Sequence, residues 1–327
     1  MKENELYTES LVAFLDILGF SDAINAAQAD QAATQSIAHA LDKVQERAAF
    51  IEKGAKGAWQ MDFRVLAFSD SIVISCPQIS EQSFIYMAHI IAAIQMDMMQ
   101  LQFFIRGAIS AGAHYEKEHV FFGPAFIRAH ELEKQSVWPR IIVDTVVLQK
   151  LNQGAVQKAV ESYLLQDQSG IYYFNYLHLV FALDSLQLEE EVKKSKNKWV
   201  DLTRIFQQHK QYLLEAVDKI KVTKPYDLLP KYHAVASYHN QYIKELCEDL
   251  PITENYEDVD PNTTLGKLVS IYETYASSKQ GVEVKDIRSY LQELTKALYK
   301  QRDSLKACEI DLSGVFGPLY PHISNIA

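Results

Sequence analysis

The stretch DFRVLAFSDSIVISC, Asp62–Cys76, reads as two apolar strands, Asp62–Phe68 and Ser71–Cys76, joined by the tight turn Ser69–Ser71. A hairpin at this point constrains everything on either side of it. Upstream, LVAFLDILGFSD (Leu11–Asp22) opens with a strand, Leu11–Asp16. Ala29–Lys53 then carries apolar residues at spacings of three and four, which predicts a long helix. Downstream, Ser80–Met99 predicts a helix with Ser80 as its N-cap. Leu101–Ala113 and the short HVFFG segment predict two strands. GPAFIRAHELEKQSV predicts a helix with Pro124 in its first turn, and RIIVD a strand. The order is β-α-β-β-α-β-β-α-β. It implies an α+β fold, a ferredoxin-like βαββαβ core with additional strands, in which Leu11–Asp16 and Asp62–Phe68 are expected to be neighbours.

Past about Ala182 the pattern becomes helical and highly charged, as in LEEEVKKSKNKWVDLTRIFQQHKQYLLEAVDKI. Two parts are expected, residues 1–180 and a mainly helical extension, 181–327. PITENYEDVDPNTT (Pro251–Thr264) reads as an acidic loop between helices.

Composition narrows the partners. At 327 residues with 48% hydrophobic and 23% charged, the chain has an ordinary globular composition. A formal net charge of −10 argues against nucleic-acid binding driven by phosphate contacts, but not against a nucleotide whose charge is offset by metal ions. No apolar run is long enough to span a membrane, and MKENELYTES does not resemble a signal peptide. Cys76, Cys247 and Cys308 are widely separated and fit neither a disulfide framework nor zinc spacing, so a cytoplasmic protein is expected.

Two carboxylates raise a question of chemistry. Asp16 ends a run of apolar residues, and Asp70 sits in the hairpin turn. An unpaired buried carboxylate costs several kcal/mol or changes its pKa. Asp16 alone could cap the next helix, and Asp70 alone could be a turn residue. Brought together, they could hold one or two Mg²⁺ or Mn²⁺ ions, which prefer oxygen ligands. The backbone that follows, Ile17–Ser21, would present amides at a helix start suited to phosphate.

These residues carry a family resemblance. FLDILGFSD, FSDSIVIS, FFIRGAISAG and GPAFIRAHELE resemble the catalytic domain of class III nucleotide cyclases over residues 9–180. RGAISAG, FGPAFIRAHELE and WPRIIVD look closer still to the Pycsar pyrimidine cyclases of bacterial antiphage defence. The resemblance implies two Mg²⁺ or Mn²⁺ ions per site, held by Asp16, Asp70 and the carbonyl of Ile17, with Leu18, Gly19 and Phe20 at the triphosphate. It implies a homodimer with shared sites, and conversion of UTP, or alternatively CTP, to the 3′,5′-cyclic nucleotide and pyrophosphate.

The sequence departs from purine cyclases at four positions. Ile127 and Glu131 stand where that family carries Asn and Arg, and Leu66 and Val120 where it carries the purine-selecting Lys and Asp. Arg106, Arg128 and Lys134 are the candidate replacement cations, with Arg140 behind them; Arg106 could instead pair with an acid across the sheet, and for Arg128 a surface salt bridge is the plainer reading. A nucleotide-binding or scaffold module that kept the fold without turnover is the alternative. A polymerase-palm-like transferase ranks below both, for lack of a basic template-binding surface. His114, His119 and His130 share no evident zinc face. Tyr115 could stack on a base or lie on the surface, and Met96, Met98 and Met99 read as helix packing.

Overall fold

The computed structural model describes residues 7–28, 30–54, 60–101, 103–117, 120–151, 160–182, 201–223, 226–278 and 284–319. The chain divides into two compact units, Met1–Phe174 and Asn175–Ala327.

The first unit holds an eight-stranded sheet. Its strands are β1 (Thr8–Ile17), β2 (Arg64–Phe68), β3 (Ser71–Cys76), β4 (Ile105–Lys117), β5 (Val120–Phe122), β6 (Ile141–Val143), β7 (Leu164–Gln166) and β8 (Tyr172–Phe174). Helices α1 (Phe20–Ala27), α2 (Gln31–Gly54), α3 (Glu81–Gln100), α4 (Pro124–Glu133) and α5 (Thr145–Leu151) connect them. The strand order is β2-β3-β1-β4-β6-β8-β7, with β5 folded back on β4. Its first four strands, all antiparallel, with α2 and α3 as crossovers, are the ferredoxin-like βαββαβ core. The remaining strands are the additional ones, β6 joining parallel to β4.

One expectation is corrected. Strand β2 does not neighbour β1; β3 lies between them. Burial explains the choice. SIVISC is buried almost throughout, whereas RVLAF is only half covered. The arm without a charged residue takes the central place, and the other, which carries Arg64, becomes the edge.

Local chemistry sets several boundaries. Ser80 caps α3 in a capping box whose second member is Ser83. Pro124 opens α4 next to Gly123. The Leu18–Gly19 turn, with Gly19 at φ 74°, separates β1 from a short helix that precedes the expected long one. Strand β4 begins at Ile105 and runs to Lys117, later at both ends than expected.

Alternation along β1 divides its two faces. Val12 and Phe14 pack with Val73, Ala125 and Ala129, so this face lies under α4. Leu11, Ala13 and Leu15 are fully buried on the other. By parity Asp16 belongs to the α4 face.

The second unit is helical: α6 (Arg204–Thr223), α7 (Leu229–Glu248), α8 (Thr264–Ser278), α9 (Val284–Lys300), α10 (Arg302–Lys306) and α11 (Leu312–Phe316). Residues 188–200 of the charged run predicted as helix lie outside the described residues. Between α7 and α8 the acidic loop is present as expected, with Asn255 capping a single 3₁₀ turn, Tyr256–Asp258. No helix among the described residues is long and apolar enough to cross a membrane.

Candidate active site at the end of β1

The antiparallel register brings Asp16 opposite Ser71 on β3 and opposite Arg106 on β4. The Ile17 amide donates to the Asp70 carbonyl at 2.9 Å, which ties the hairpin turn to the end of β1. Asp16 and Asp70 therefore meet at one strand end although β1 and β2 are not neighbours.

Arg106 lies between two acids. Its Nε donates to Asp16 Oδ2 at 2.9 Å. The same nitrogen is 2.9 Å from Oε1 of Glu133 at the end of α4, an ion pair without hydrogen-bond geometry. Glu133 is buried. Burial pushes its carboxyl above the usual range; Arg106 and Lys134 draw it back, and the charges of Asp16 and Asp70 raise it. Two carboxylates thus flank one guanidinium, and Asp70 is close enough for its charge to act on Glu133.

Glu133 is the residue that sequence reasoning missed. Its signal was periodicity: it follows Ala125 and Ala129 at steps of four, on the buried stripe of α4. The positions aligned with the purine family's Asn and Arg point outward instead, with Ile127 and Glu131 exposed.

The other cations are placed differently. Arg128 Nε donates to Asp144 Oδ2 at 3.0 Å, and Ser110 donates to the same oxygen at 2.9 Å. Asp144, buried at the end of β6, is thus an ion-pair partner for Arg128 within its own chain. Arg140 is bound to Asp167 at 2.7 Å and stacked over Trp138 and Tyr173, a structural clamp. Lys134 is exposed at the C-cap of α4.

At the turn after β1, the Leu18 amide donates to the Phe104 carbonyl at 2.8 Å, so it serves the fold. Gly19 and Phe20 stand at the start of α1, and the Phe20 ring is buried against Phe103. Leu66 is half-buried in β2 opposite Val73, and Val120 is exposed at the start of β5. Phe68, Phe121, Phe126 and Phe14 form an aromatic row along the α4 face of the sheet. Tyr115 stacks on Phe122, and His130 packs on Phe14. Met98 and Met99 are buried in α3. His119 lies outside the described residues.

The oxygen donors of Asp16, Asp70 and Ile17 fit Mg²⁺ or Mn²⁺ in type. Among the described residues no group of three or more His, Cys, Asp or Glu side chains is arranged to hold a metal ion. Main-chain, substrate and water oxygens would have to complete the shell.

Comparisons with known proteins add little. No family model matches the chain, and no curated protein matches it. Among solved structures, a class III adenylyl cyclase-like ATP-binding protein from Pseudomonas aeruginosa is similar, at 10% identity and TM-score 0.38, over 54% of this chain and 40% of that one. A bacterial light-regulated adenylyl cyclase is similar at 13% identity and TM-score 0.36, over 63% and 58%. The chain thus matches about half the length of each. Likeness at this level carries no argument about activity. The ferredoxin-like assignment stands on strand order and register alone.

Proposed function

We propose that the protein is a nucleotide cyclase that converts a pyrimidine nucleoside triphosphate, UTP ahead of CTP, to the 3′,5′-cyclic monophosphate and pyrophosphate. The observation that supports this most is the meeting of Asp16 and the Asp70 turn at one strand end, with Arg106 between Asp16 and Glu133. Asp16, Asp70 and the Ile17 carbonyl would hold the divalent ions. Bound there, such ions lower the pKa of the ribose 3′-hydroxyl and neutralise triphosphate charge.

The chain's own groups have distinct tasks in this reading. Amides of Gly19 and Phe20, at the start of α1, donate to the outer phosphates. Arg106 turns from Asp16 toward the charge that develops on the phosphoryl oxygens, with Glu133 as the anchor that keeps its guanidinium at the strand end. Leu66 and Val120 line the base with apolar groups, which removes the polar contacts a purine site uses. Arg128 and Lys134 of one chain serve the site of its partner in a homodimer. Residues 1–180 form the cyclase domain and 181–327 a helical extension. Synthesis of a second messenger in antiphage defence, in the cytoplasm, follows from the family resemblance.

The test is incubation of the purified chain with each of the four NTPs and Mn²⁺, followed by mass spectrometry. Cyclic UMP with equimolar pyrophosphate is expected. Equal or better turnover of ATP or GTP overturns the pyrimidine assignment. No product from any NTP, with nucleotide still raising the melting temperature, favours the scaffold reading. The exposed Ile127 and Glu131, which bring no cation to α4, are the observation on its side.

A further inference from the structure

A second polar site lies on the same sheet face, at the opposite end of β1. Thr8 and Asp16 mark the two ends of that strand, roughly 25 Å apart at the usual rise per residue. A cavity of about 150 Å³ opens there, lined among others by Thr8, Ser10, Asp62, Arg64, His114 and Glu116. The volume accommodates about five waters at the liquid value.

His114 is the unusual member. It is 2% exposed, and neither ring nitrogen has a hydrogen-bond partner. Buried polar atoms left so are costly, and such sites call for a further partner. Oε2 of Glu116 lies 3.6 Å from His114 Nε2, too far for a hydrogen bond. Glu116 is itself held by the Ser75 hydroxyl, which donates to Oε2. Arg64 lies 4.0 Å from Asp62, so their charges offset each other, and Glu116 leaves the cavity net acidic.

We infer that this cavity is a binding site for a late first-row divalent ion of the zinc type, with His114 Nε2 and Glu116 Oε2 as its protein ligands. An ion about 2.0–2.1 Å from both atoms would see them at roughly 120°, close to tetrahedral. The mixed nitrogen and oxygen donors favour zinc over magnesium. Ser75 acts from behind, fixing the carboxylate as an outer-shell partner. Since no third His, Cys, Asp or Glu joins these two among the described residues, water in the cavity completes the shell.

The experiment uses the full chain carrying Asp16→Asn and Asp70→Asn, so that the candidate catalytic site contributes no metal binding. Calorimetric titration with Zn²⁺ alone is expected to show one saturable site per chain, and Mg²⁺ none. Co²⁺ in its place should give the intense visible bands of four-coordination. Ser75→Ala should weaken zinc about tenfold, and His114→Gln and Glu116→Gln more than that. If His114→Gln fails to fold, the half-buried Glu116→Gln decides. No saturable zinc, or zinc binding unchanged by Glu116→Gln, overturns the inference. So does a rise in melting temperature with methylammonium and none with zinc.

Discussion

At the scale of single residues, Asp16 and Asp70 are the same side chain in unequal settings. Asp16 is paired with Arg106, whereas Asp70 occupies a turn and adds negative potential at Glu133. Asp70→Asn should abolish cyclisation at saturating Mn²⁺ and leave the melting temperature level or higher, because a repulsive charge is removed. Near wild-type turnover would defeat the two-acid reading. Asp16→Asn should also abolish turnover, but without the gain in stability, since an attraction to Arg106 goes with the charge. Arg106→Ala should slow turnover on the order of 10²–10³-fold. It should also cost about 2–3 kcal/mol in urea denaturation, because Glu133 is left buried without its cation; the figure sits below that for a fully buried pair since Arg106 is a quarter exposed. Adding Glu133→Gln to Arg106→Ala should restore most of that stability but none of the turnover. If the double variant is no more stable than Arg106→Ala, Glu133 is not the group that Arg106 neutralises.

At the scale of elements, the site depends on how closely β1 and β4 approach. A methyl group at Gly107 would sit 2.3 Å from the Phe14 carbonyl and 2.8 Å from the Leu15 side chain. Neither strand can yield without breaking the register that pairs Asp16 with Arg106. Gly107→Ala should therefore cost at least about 2–3 kcal/mol, with turnover falling in the protein that remains folded. A thermal shift within a degree of wild type would contradict this account of the β1–β4 seam. Helix α4 works in the same way from the other side, its buried stripe carrying Glu133 to the strand end while its outer face leaves Ile127 and Glu131 in solvent.

At the scale of the whole molecule, the helical unit carries a pH dependence of its own. Tyr176, His209 and His239 form a buried chain: Tyr176 OH to His209 Nε2 at 2.9 Å, then Nδ1 to Nδ1 at 3.0 Å, then His239 Nε2 to the Cys308 carbonyl at 3.0 Å. One neutral arrangement satisfies every bond, with the tyrosine, His209 Nδ1 and His239 Nε2 donating. Burial holds His239 down to about 4 and His209 well below the ordinary histidine value of 6.5. The unfolded chain takes up protons below about pH 6.5 while the folded one does not, so stability is full above that pH and declines as pH falls toward 4. The melting temperature should drop over this window, and His239→Gln should flatten the decline. A curve level between pH 7 and 4.5 would refute the assignment. Light scattering at active concentrations should show a homodimer; an active monomer would remove the shared site.

Legibility in the sequence followed the range of the forces involved. Helix periods, the Ser69–Ser71 turn, the Ser80 cap and the apolar strands are local, and they specified the βαββαβ order without reference to partners. The acids at Asp16 and Asp70 were visible for the same reason: each interrupts an apolar run. Glu133 was hidden because a glutamate on a charged helix resembles a solvated one until packing shows which face is covered. A salt bridge was the plainer reading for Arg128, but the acids that pair with Arg128 and Arg140 could not be named, because Asp144 and Asp167 lie 16 and 27 residues further along the chain. Which arm of the hairpin would be central also escaped, since both read as strands and only competition for buried surface separates them. Local propensity and spacing determined the elements and the two acids. Long-range burial and charge pairing, which exist only once the sheet has closed, decided the neighbours of β1 and the partners of each arginine.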